Sequence, residues 1–122
     1  MDEGYLPENY VAFTREWFEP ILKDAKAETR RLVLEDLART PREVFIEGTE
    51  GSIGFDPAAA LTHFKGPRLA IGAATLDDPR MFQRAVAGTP FVLVEGVSHW
   101  VMLDDPPAFN VALDEFLQKV ST

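Results

Sequence analysis

Two short apolar runs, Arg68-Leu69-Ala70-Ile71-Gly72-Ala73 and Phe91-Val92-Leu93-Val94-Glu95, constrain the fold of this chain more than anything else in it. A short apolar run after a proline, as at Pro67, reads as a buried strand of a parallel sheet. Between the runs, Asp78-Pro79 supplies a cap and a first-turn proline for a helix reaching about Ala87, closed by Gly88. After the second run, Asp105-Pro106 opens a last helix. Its apolar residues, Phe109, Leu113, Phe116, Leu117 and Val120, are spaced by four, three, one and three, which makes one inward face. Strand, helix, strand and helix at these separations predict a right-handed βαβ unit in a parallel sheet.

The residues before Gly66-Pro67 read as helices. The first is expected to start near Pro7, with Val11, Trp17, Phe18, Ile21, Leu22 and Ala25 on one stripe and a kink or split at Pro20. The second runs from about Glu28 to Ala38, with Leu34 and Leu37 inward. Thr40-Pro41-Arg42-Glu43 has the form of a capping box. It predicts a helix through Val44-Phe45-Ile46 ending at Gly48, although that composition also allows a strand. Asp56-Pro57-Ala58-Ala59-Ala60-Leu61 reads as one more short capped helix. The expected fold class is therefore α/β, with a helical segment over 1–65 and a βαβα portion over 66–122, together one structural unit.

Charge and composition exclude several function classes. With 12 basic against 20 acidic residues the net charge is -8, and no basic face interleaved with aromatics is visible. Nucleic acid and anionic membrane surfaces are therefore not expected as partners. No apolar run approaches the roughly 20 residues of a membrane span. The acidic Met1-Asp2-Glu3-Gly4 does not suit a signal peptide, and the cysteine-free sequence suits a reducing compartment, so the expectation is cytoplasmic. No metal or cofactor is expected.

The chemistry concentrates at Gly96-Val97-Ser98-His99-Trp100. A histidine on the loop after a strand, next to an indole, can be held over a cleft and exchange protons near neutral pH. The second half of the chain here resembles the C-terminal portion of the α/β-hydrolase fold. The matching pieces are the Pro67 to Ile71 strand, the strand ending in Val94-Glu95-Gly96, and Ser98-His99-Trp100. Leu103-Asp104-Asp105-Pro106 and Phe109-Asn110 leading to Leu113-Asp114-Glu115-Phe116-Leu117 complete the match. The helical first half resembles the cap of such enzymes, and Phe55 to Leu61 its return to the core. The resemblance implies that His99 is the general base of a Ser-His-acid triad, and that the reaction is hydrolysis of an ester-like small molecule.

The departures from the family are equally specific. Its triad runs in the order Ser, acid, His, with the serine on a Gly-x-Ser-x-Gly elbow. Glu50-Gly51-Ser52-Ile53-Gly54 has glycine only on one side of the serine in that register, so Ser52 reads as part of a glycine-rich loop. The nucleophile and oxyanion hole are expected on residues outside this sequence. For the acid, Asp77 in Gly72-Ala73-Ala74-Thr75-Leu76-Asp77-Asp78-Pro79 is better placed than Asp78, although both also read as turn and cap residues. Asp104 and Asp105 read as cap residues. Trp100 suits either a pocket or core packing, His63 reads as a surface or packing residue, and Phe13, Trp17 and Phe18 suit a cap pocket or ordinary core. The expectation is a hydrolase portion that is inactive alone and completed by another segment or chain. The alternative is a non-catalytic, homo-oligomerising or small-ligand-binding module derived from a hydrolase.

Overall fold

In a computed structural model of the protein, residues 2–73 and 81–121 are described. They form two compact units, Met1–Phe55 and Asp56–Thr122.

The first unit is helical. A 3-10 turn over Asp2–Tyr5 precedes α1 (Tyr10–Leu22), α2 (Ala27–Arg39) and α3 (Arg42–Ser52). The start of α1 lies three residues beyond Pro7, because Leu6 to Asn9 close a turn in which the Asn9 amide donates to the Leu6 carbonyl at 2.9 Å. Pro20 does not split the helix. It sits in the last turn, where the hydrogen bond it cannot donate is lost only two residues before the helix ends at Leu22.

The buried stripe of α1 is Tyr10, Thr14 and Leu22, and that of α2 is Thr29, Val33 and Leu37. Helical spacing predicted this face only in part. Val11 is 66% exposed and Trp17 46% exposed, while two threonines are almost fully buried. Thr14 tolerates burial because its hydroxyl donates to the Tyr10 carbonyl one turn back, at 2.9 Å. Three aromatic side chains of α1 meet α3. Phe45 makes edge-on contacts with Tyr10 and Trp17, at centroid separations of 5.8 and 5.6 Å, and a tilted one with Phe18 at 6.3 Å. Phe13 lies against Trp17 at 6.2 Å and edge-on to Tyr5 at 5.5 Å. These rings therefore pack on one another.

The capping box at Thr40 is not formed. The Thr40 hydroxyl donates backwards to the Asp36 carbonyl at 2.8 Å, closing the end of α2, and Pro41 occupies the cap position of α3 without a side-chain bond. Nor does α3 stop at Gly48. A glycine ends a helix when it takes the left-handed conformation, and the first glycine to do so is Gly54, with φ of 81°.

The second unit carries the sheet. β1 (Ala70–Ala73) and β2 (Phe91–Val94) pair in parallel, with Ala70 opposite Phe91 and Ala73 opposite Val94. The expected helix from Asp78 to Ala87 is described only from Phe82 to Ala85, as α5; Asp77, Asp78 and Pro79 lie outside the described residues. Before the sheet, α4 (Pro57–Ala60) is capped by Asp56, whose carboxylate accepts from the Ala59 amide at 3.2 Å. After it come α6 (Val101–Asp104) and α7 (Pro106–Val120).

The core of this unit lies at the C-terminal end of the strands. Ala73, Val94, Val97 and Val101 are buried together, with Ile71, Ala108 and Phe109 against them. Ala112 is the buried residue of α7, whereas Leu117 and Val120, expected inward, are exposed. The sheet has only two strands among the described residues, and a helix of fifteen residues outruns it. The same shortness leaves Phe91, Val92 and Leu93 exposed on β2. The architecture is thus mixed α and β around a small parallel sheet. No described helix is long and apolar enough to cross a membrane.

Candidate functional site

In a parallel sheet, loops leaving the C-terminal ends of the strands share one edge, and ligands of open α/β sheets gather there. The loop after β2 turns at Gly96, whose φ of 72° belongs to the left-handed region. It then buries Val97 and Ser98 and leaves His99 exposed.

A carboxylate holds this loop. Asp104, at the end of α6, is 0% exposed. Its Oδ2 accepts from the Ser98 backbone amide at 2.7 Å and from the Ser98 hydroxyl at 2.5 Å. The Ser98 hydroxyl in turn accepts from the Trp100 amide at 3.3 Å, and the Trp100 carbonyl accepts from the Asp104 amide at 3.0 Å. The segment from Ser98 to Asp104 is thereby closed on itself, with His99 at its apex. Charge-assisted bonds of this kind are short and roughly twice as strong as neutral ones. They also make Ser98 a poor nucleophile, since its hydroxyl is buried and already donates to Asp104.

Asp104 was expected to serve as a helix cap, and that expectation is corrected. A capping side chain must reach the second or third amide of the helix, and the residue immediately before Pro106 is the one that can. That residue is Asp105, whose carboxylate accepts from the Ala108 amide at 3.1 Å. Asp104 is one residue too early and points into the protein. The sequence signal was the adjacent pair of acids before a proline, since only one of the two can cap.

The His99 ring lies edge-on to Trp100, with centroids 5.1 Å apart. Partial burial lowers the His99 pKa from its ordinary 6.5 by desolvation, which favours the neutral imidazole, the form that accepts a proton. No carboxylate faces His99 in a hydrogen bond among the described residues. The acid expected for it, Asp77, lies outside them.

Ser52 is the last residue of α3, and its hydroxyl donates to the Thr49 carbonyl at 2.7 Å. A helix end is not a strand-to-helix elbow, and it is not the loop expected there either. His63 lies exposed in the turn after α4. Among the described residues, no group of three His, Asp or Glu side chains is arranged to hold a metal ion.

What the arrangement can do is limited and clear. It presents a partly desolvated imidazole, whose neutral form is favoured by burial, at the C-terminal edge of a parallel sheet, on a loop fixed from beneath. The hydroxyl on this loop, that of Ser98, is engaged by Asp104, so the described residues of the loop do not by themselves supply a nucleophile. Comparison with family models, with characterised proteins and with solved structures finds no match to this chain.

Proposed function

We propose that the second unit carries the proton-transfer half of a Ser-His-acid acyl hydrolase, in the manner of the C-terminal portion of an α/β-hydrolase. His99 takes the proton of a serine as it attacks an ester-like carbonyl, and returns it to the leaving group. Asp77 is the proposed acid, holding the imidazole tautomer, and the nucleophile comes from residues other than the described ones. The reading is supported chiefly by one observation, the exposed His99 on a loop clamped by a fully buried carboxylate. A cysteine-free protein of this kind is suited to the cytoplasm.

The experiment uses a fluorophosphonate probe and an activated ester. The chain alone is expected to show neither labelling nor turnover above that of free imidazole. Addition of a segment or co-purifying chain bearing Gly-x-Ser-x-Gly should restore both, and His99→Ala should abolish them. Turnover by the chain alone that disappears in Ser52→Ala, or a restored activity indifferent to His99→Ala, would overturn the reading.

A second reading is favoured by a different observation. Phe91, Val92 and Leu93 are exposed in succession on a strand with an unpaired edge. Such an edge is a template for pairing, and homo-oligomerisation through it would make the chain a self-associating module. A monomer by light scattering at all accessible concentrations rules this out.

A further inference from the structure

The end of the sheet opposite His99 carries a cleft of a different character. It has a volume of about 780 Å³ and lies where the chain enters β1 and β2, at Arg68 and Pro90. That volume falls in the range of small-molecule sites. Three cations line it, Lys65, Arg68 and Lys119, and no Asp or Glu is among the described lining residues. In a chain of net charge -8, the described lining residues are thus of the opposite sign.

Arg68 is the central feature. It is half-buried, its Nε donates to the Thr89 hydroxyl at 3.1 Å, and one Nη donates to the Ala87 carbonyl at 3.0 Å. Both partners are neutral, and Arg68 is in no ion pair with a described residue. Arg30, Arg31, Arg39 and Arg42, by contrast, each pair with a carboxylate. The guanidinium is therefore fixed in place with donors left over and no described carboxylate against it, the preorganised state that suits a carboxylate ligand.

The rest of the cleft is apolar. Phe64 and Val120 are exposed and Phe116 is half-buried. The Phe64 ring lies over Gly66, where a Cβ would come within 2.6 Å of it, so the glycine permits the ring's position in the wall.

We propose that this cleft binds an anionic amphiphile, a carboxylate with an aliphatic tail, its head on Arg68 and Lys65 and its tail along Phe64, Phe116 and Val120. The site is separate from the loop of His99, lying at the other end of the strands, and does not depend on the hydrolase reading.

The test is calorimetric titration of the whole chain with dodecanoate below its micelle threshold. Saturable one-to-one binding is expected, weakened about tenfold or more in Arg68→Gln, the loss of one charge-assisted contact. The Gly66 and Gly88 amide signals should shift on binding. Lys65→Glu tests the same claim without touching the bonds of Arg68 to Thr89 and Ala87, and the same loss is expected; Lys23→Gln on the first unit should change nothing. Equal binding of dodecyltrimethylammonium would show a merely greasy surface and overturn the proposal. So would full affinity in Lys65→Glu together with a folded Arg68→Gln, or inorganic phosphate binding as tightly as dodecanoate.

Discussion

Replacing Asp104 by alanine tests whether a buried carboxylate holds the His99 loop. Asp104 is 0% exposed and Ser98 1% exposed, so water cannot replace the bonds that Asp104 accepts. Its removal leaves the Ser98 amide and hydroxyl without that acceptor. Each orphaned buried donor costs about 1–3 kcal/mol. Part of this is offset because the carboxylate no longer has to be desolvated. The expected net loss is about 3 kcal/mol. Ser98→Ala removes the hydroxyl and with it the long 3.3 Å bond from the Trp100 amide, but leaves the Ser98 amide bonded to Asp104, so its loss should be nearer 1 kcal/mol. For a domain of this size the two losses correspond to roughly 15 °C and 5 °C in Tm. The chain has two tryptophans, so Trp17→Phe leaves Trp100, beside His99, as the sole tryptophan reporter during urea unfolding. Equal midpoints for the two variants, or a loss under about 1 kcal/mol for Asp104→Ala, would refute the assignment.

Other outcomes follow from the same structure. The His99 imidazole should titrate below 6.5 by proton NMR, since desolvation disfavours its charged form. As the pH falls, the unfolded chain then takes up the proton first, so the stabilising preference for neutral His99 is full above pH 6.5 and is lost as the pH falls through the depressed native value. A midpoint above 6.5 would mean a carboxylate partner dominates. The Tyr10 hydroxyl is buried without a hydrogen-bond partner among the described residues, so Tyr10→Phe should leave stability unchanged or raise it by about 1 kcal/mol in thermal melts. Phe45→Ala removes the ring shared by Tyr10, Trp17 and Phe18 and should cost the first unit roughly 2–3 kcal/mol by circular dichroism, less than for a fully buried ring. Asp105→Ala should cost α7 about 1 kcal/mol as a lost cap, well short of the effect at Asp104.

Local chemistry made much of this protein legible in its sequence. Proline after an acidic residue marked two helix starts, at Asp56-Pro57 and Asp105-Pro106, because a cap and a fixed φ act within one turn. The two apolar runs marked the strands, and the helical stretch between them required a parallel crossover. The exposed histidine at the strand's C-terminal edge followed from the same pattern.

Tertiary structure decided what spacing cannot express. Which of Asp104 and Asp105 turns inward depends on the single residue of offset from Pro106 and on the donors beneath the loop. Which face of α1 is buried depends on its neighbours, which take Thr14 inside and leave Val11 in solvent. Thr40 chose the helix behind it over the one ahead, because the Asp36 carbonyl was already within reach of its hydroxyl. Arg68 looks ordinary in sequence, and only the fold shows it held by neutral partners in a cleft with no acid among its described lining residues. A helix start or a strand is set within one turn of chain, whereas a buried charge or an unpaired cation is defined by residues brought together from a distance.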